Sequence, residues 1–162
     1  MRHIYLGKSN KSDPRIWQPI RFEIIQRLGN EGLSEWIGVN NPGDIYNAAA
    51  FVFATDATHE FGIIGKGLNG QINTAFGNNV PVFVMDLSIP DFPATVDEMI
   101  EEIRFIPVTG QELLPDKERD FITTARFQYN RSEAITFSEL MDIVAGKNVS
   151  KSANEDIDDD WL

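Results

Sequence analysis

An α/β fold with a mainly parallel, five-stranded sheet is expected from three features of the sequence. Residues 50–55 (AFVFAT) and 80–85 (VPVFVM) are apolar almost without interruption, as strands covered on both faces must be. Strand-like and helix-like stretches alternate along the chain, the order of crossover-connected parallel strands. A glycine-rich stretch from Gly62 to Gln71 follows the first of those two strands, where such folds place anionic or sugar-bearing ligands. We therefore expect three layers and a flavodoxin-like strand order.

Each element has its own signal. Residues 2–7 alternate and then turn apolar, and read as the first strand. The polar loop Gly7-Lys8-Ser9-Asn10-Lys11-Ser12-Asp13-Pro14 follows. A helix is expected over residues 19–28, since proline suits a first helical turn and Ile20, Ile24 and Leu28 recur four apart. Gly29 and Gly32 supply its stop. Trp36-Ile37-Gly38-Val39 reads as a second strand. Asn41-Pro42-Gly43-Asp44 is a turn, with Asp44 placed to cap a short helix through Ala49.

After the strand at 50–55, a helix is expected over residues 68–76, closed by the turn Gly77-Asn78-Asn79. Thr95-Val96-Asp97-Glu98 has capping-box spacing and opens a helix to about residue 103. Phe105-Ile106-Pro107-Val108 is expected as a short edge strand, because proline cannot donate to a ladder. Pro115 opens a helical stretch to Tyr129, weakened by Phe121, Ile122, Thr123 and Thr124. Thr136-Phe137-Ser138-Glu139 is a second capping box, and Gly146 ends that helix. One domain over residues 1–146 is expected, followed by a disordered acidic tail, 147–162.

Composition narrows the function classes. The chain has 162 residues and no cysteine, which excludes disulfides and thiolate metal sites. No ligand spacing suggests metal, and no cofactor is implied. No apolar run approaches the ~20 residues of a membrane helix, and the first residues lack the apolar region of a secretory signal, so a cytoplasmic protein is expected. The net charge of −11 argues against general binding to nucleic-acid backbones. Charge is nevertheless uneven. Arg2, Lys8, Lys11, Arg15 and Arg21 crowd the first stretch against Asp13 alone, and could form a local basic patch.

The middle of the chain resembles the nucleoside 2-deoxyribosyltransferase superfamily, which includes deoxynucleoside 5′-monophosphate N-glycosidases. The likeness lies in Ile4-Tyr5-Leu6-Gly7 with its polar loop, then in Gly67-Leu68-Asn69-Gly70-Gln71-Ile72-Asn73-Thr74-Ala75, and in Gly77-Asn78-Asn79-Val80-Pro81-Val82. It covers residues 2–86. Members carry a glycine, three variable positions, a catalytic glutamate, an alanine four residues on, and a glycine-led turn into a strand. The resemblance implies a nucleoside or nucleotide ligand, possession of an N-glycosidase pocket, and a homo-oligomer whose neighbours complete that pocket.

This chain departs from that pattern at the position of the glutamate, where it carries Gln71. A carboxylate can attack an anomeric carbon and then leave; an amide is a far poorer nucleophile, although it can donate and accept hydrogen bonds to a sugar. Asp56 and Glu60, after the central strand, are the carboxylates that could substitute, with His59 between them as an acid or base. The plainer reading of all three is as solvated loop residues. Gly7, Lys8, Ser9, Asn10 and Arg21 are candidates for holding sugar and phosphate, and Gly67 and Asn69 for lining the pocket. Gly65-Lys66-Gly67 lacks the order of a Walker motif. Trp17 and Phe22 could stack on a base or simply pack a helix.

Three functions stay open: an N-glycosidase, a catalytically impaired nucleoside binder, and an interaction protein working through its acidic surface and tail. The tail, ending Asp158-Asp159-Asp160-Trp161-Leu162, resembles in style the acidic tips of bacterial single-stranded-DNA-binding proteins, and could dock a protein partner. The glycosidase and binder readings both require the polar turn near Lys8 to face Gln71 across one cavity.

Overall fold

In the computed structural model, alternation along the parallel strands sends apolar side chains to both sides of one sheet, and each side is covered by helix. The structure describes residues 4–8, 14–30, 45–46, 48–54, 62–86, 96–118 and 123–146. The strands are β1 (Ile4–Lys8), β2 (Ala50–Ala54), β3 (Ile63–Gly65), β4 (Val82–Met85), β5 (Phe105–Leu113) and β6 (Thr123–Tyr129). The helices are α1 (Pro14–Asn30), α2 (Lys66–Gly77), α3 (Val96–Glu102) and α4 (Phe137–Val144).

The sheet order is β1-β2-β4-β5-β6-β3. β1, β2 and β4 are parallel, in a register that places Gly7, Phe53 and Val84 in one row. β5 turns antiparallel to β4, β6 to β5, and β3 to β6. The α/β class is thus as expected, but the sheet is mixed and has six described strands instead of five mainly parallel ones.

One side buries Ile4, Leu6, Ala50, Val52, Phe83 and Met85 beneath α1, α3 and α4. The other buries Tyr5, Phe51, Phe53, Val82, Val84 and Phe127 beneath α2, which contributes Leu68, Ile72 and Ala75. On the first side Arg27 ties the helices together. Its guanidinium pairs with Glu23 and with Glu101 of α3, each at 2.9 Å, and lies 5.5 Å from the Phe137 ring centroid.

Several expected boundaries move for identifiable reasons. α1 begins at Pro14 and runs through Pro19, which costs it one backbone bond. Of the short helix expected from Asp44 through Ala49, residues 44 and 47 lie outside the described residues; Ile45 is in a 3₁₀ turn, and Ala48 N–H donates to Ile45 O at 3.3 Å. Part of the glycine-rich stretch is strand β3, and α2 starts at Lys66. The Asn79 turn is as expected, with φ of 58°. The capping box of α4 forms as expected, with Thr136 and Glu139 exchanging both bonds.

Two expectations fail. Pro107 lies inside the sheet, in a nine-residue strand paired on both sides. Its carbonyl accepts from Asn130 N–H at 3.2 Å, so the missing N–H faces the side where β6 has already ended. Residues 123–129 are strand, not helix: Ala125 and Phe127 are buried while Arg126 and Gln128 are exposed, a period of two. The segments at Trp36–Val39, Thr95 and 147–162 lie outside the described residues.

Candidate functional site

α2 crosses the Tyr5–Phe51–Phe53 face of the sheet on a narrow apolar stripe. At 100° per residue, Leu68, Ile72 and Ala75 point to the sheet, Gln71 falls on one flank, and Asn69 and Asn73 fall on the other. The helix therefore presents amides to both sides.

Gln71 reaches the carboxyl end of β1. Its Nε2 donates to the Tyr5 hydroxyl at 3.3 Å. Its Oε1 would stand 3.5 Å from a Cβ on Gly7, and the Phe51 Cζ only 3.3 Å. A side chain at position 7 would crowd the Phe51 ring and come into ordinary contact with the amide, so glycine keeps the ring close over the strand. Tyr5 is fully buried, stacked on Phe51 with centroids 5.2 Å apart and planes at 16°. This anchored phenol fixes one end of Gln71. Among the described residues, Gln71 makes no other side-chain hydrogen bond.

The opposite flank is closed. Gln111 of β5 donates through Nε2 to the Asn69 backbone oxygen at 3.1 Å, to Asn69 Oδ1, and to Asn73 Oδ1 at 2.9 Å. Among the described residues its Oε1 is buried without a hydrogen-bond partner. These amides hold α2 against β5.

A second polar cluster lies beyond β4, on the α2 side of the sheet. Aromatic contacts run from Phe53 to Phe127 (5.3 Å, edge-on) and from Phe127 to Tyr129 (5.5 Å). The Arg131 guanidinium sits over the Tyr129 ring at 5.4 Å and binds Asp86 Oδ2 through Nη1 at 2.6 Å. The hydrogen bond that Arg131 donates to Asp86 raises the Arg131 pKa above its ordinary value, which secures its charge. Asp86 directly follows β4, so it stands at the carboxyl edge of the parallel strands.

The residues expected to form the site divide into groups. Gly7 and Gln71 come together, and Lys8 ends the same strand. Asn69 is on the other flank of α2, engaged by Gln111. Gly67 is exposed in the first turn of α2, and a Cβ there would meet nothing within 4 Å, so space does not require glycine. Arg21 and the exposed Phe22 belong to α1, on the opposite side of the sheet; burial lowers the Arg21 pKa. Ser9, Asn10, Asp56, His59 and Glu60 lie outside the described residues. Asp86, Tyr129 and Arg131 were not anticipated. The position of Asp86 immediately after an apolar strand was a usable signal; Arg131 had none, because its segment read as the end of a helix.

Among the described residues no group of three or more His, Cys, Asp or Glu could hold a metal ion, and no helix is long and apolar enough to cross a membrane. Comparison with known proteins gives no matching family model, no matching curated protein and no matching solved structure.

Proposed function

We propose that this chain binds a nucleoside or nucleotide at the carboxyl ends of β1, β2 and β4, with the Gln71 amide presented to the ligand. One observation carries the reading. Gln71 stands over Gly7 with its Nε2 on the Tyr5 hydroxyl, so an amide from α2 meets the carboxyl end of β1, which closes at Lys8. This is the meeting that a nucleoside crevice of the resembling superfamily would need. In the same reading the parallel strands follow a flavodoxin-like order.

An amide in place of a carboxylate makes the chain a binder related to the N-glycosidases, not an efficient catalyst. Gln71 can accept from a ligand hydroxyl or base N–H through Oε1 while the phenol holds Nε2. It cannot carry a glycosyl intermediate as a glutamate does.

Calorimetry with a panel of nucleosides, nucleotides and free bases tests the binding, and chromatography of the same mixtures tests for released base. Saturable heat without base release is the expected result. In Gln71→Glu, slow release of base is expected. A panel without heat would overturn the reading. Fast base release by the unchanged protein would return the role of nucleophile to Asp56 or Glu60.

A further inference from the structure

We propose that Asn69, followed by Gly70, is a latent site of spontaneous deamidation, and that the Gln111 side chain holds it closed. Asparagine followed directly by glycine occurs once in the chain. With no Cβ on the following residue, the Gly70 nitrogen has an unhindered path to the Asn69 side-chain carbonyl carbon. The bond from that carbon to Nδ2 breaks as the bond to the Gly70 nitrogen forms. Ammonia leaves with the proton of the Gly70 N–H, and a cyclic imide remains. Water then opens the imide at either carbonyl, giving aspartate or isoaspartate at position 69.

Helical structure opposes the first step. α2 spans Lys66–Gly77, so the Gly70 N–H bonds back to the Lys66 carbonyl. To attack, the nitrogen must leave that ladder by rotation about the Cα–C bond of Asn69. The start of α2 resists this only weakly by itself. Gly65 supplies no side-chain cap, the first turn holds no acidic residue, and Lys66 stands against the helix dipole. Gly67 and Gly70 lower helix propensity further, although a Cβ would meet nothing within 4 Å at either.

Gln111 supplies the missing restraint from β5. Its Nε2 donates to the Asn69 backbone oxygen at 3.1 Å and to Asn69 Oδ1. That backbone oxygen and the Gly70 nitrogen belong to one peptide plane, so the rotation that frees the nitrogen swings the oxygen off Gln111. The bond to Oδ1 holds the carbonyl that would be attacked. Both bonds must break before the imide forms. Isoaspartate would then lengthen the main chain by one methylene between the buried Leu68 and Gln71, disturbing the helix that presents the Gln71 amide.

The test incubates the full chain at mildly alkaline pH, folded and in denaturing urea, and maps aspartate and isoaspartate by mass spectrometry of its peptides. Amide hydrogen exchange reports the opening of α2, and thermal unfolding confirms folding. In urea, position 69 should convert before any other asparagine. In the folded chain it should convert more slowly by about tenfold or more. Gln111→Leu should quicken the folded rate about fivefold, the worth of one ordinary hydrogen bond. The Gly70 amide should exchange faster by the same factor and the β2 amides by less, because the opening is local. Gly70→Ala should suppress the conversion. Another asparagine converting first in urea would overturn the site. An unchanged rate in folded Gln111→Leu, or equal quickening of exchange in α2 and β2, would overturn the clamp. If Gln111→Leu does not fold, Gln111→Glu, which loses the donor and keeps the length, is read by the same outcomes.

Discussion

On one flank of α2, Gln111 gathers Asn69 and Asn73 into a closed cluster; on the other, Gln71 makes a single 3.3 Å bond to the Tyr5 phenol. The residue types are nearly the same, and the consequences differ. In the closed cluster three amides engage one another, which fixes the helix to β5. On the Gln71 flank one amide is oriented by a buried ring and keeps an acceptor in reserve beside a glycine. An amide serves structure when its partners are other amides on neighbouring elements. It serves recognition when one end is pinned and the other is spare.

The largest effect is expected from breaking both flanks together. Ile72 is fully buried between them, so Ile72→Ala should cost about 3 kcal/mol in denaturant unfolding. Ligand binding should weaken with it, because the helix loses its seat. Gly7→Ala comes next. Its Cβ would crowd the Phe51 ring, and a loss of about 1 kcal/mol is expected with a drop in ligand affinity. A neutral result would show that the close approach at β1 does not matter.

Gln111→Leu sharpens the contrast. It removes the bonds to Asn69 and Asn73 but also the buried Oε1 that has no partner among the described residues. These terms oppose, so a loss of about 1 kcal/mol or less is expected, with ligand affinity at the other flank retained. Smallest of all is Tyr5→Phe, expected to cost about 0.5–1 kcal/mol and to weaken ligand binding more than stability, since it frees the pinned end of Gln71. If Gln111→Leu harmed binding more than Tyr5→Phe, the division between the flanks would fail.

How far the sequence foretold these flanks depends on the range of the interactions. β2 and β4 were legible because burial on both faces leaves an unbroken apolar string. α4 was legible through its capping box, a device contained within four residues. β6 was not, because Thr123 to Tyr129 has weak local preference and becomes strand by pairing with β5 and β3. The misreading of β6 hid half of the second cluster, as Arg131 acquires its meaning only from Asp86, 45 residues earlier. Gln71 and Gly7 were foreseen as site residues from short motifs. The Tyr5 phenol that links them was missed, since a tyrosine inside an apolar strand reads first as core.

The most direct test follows the side-chain amide resonances of the labelled protein while a binding nucleoside is added. The account predicts that the Gln71 amide shifts as the ligand saturates, while those of Asn69, Asn73 and Gln111 stay within small perturbations. Shifts confined to the Gln111 cluster, with Gln71 unmoved at saturation, would contradict it.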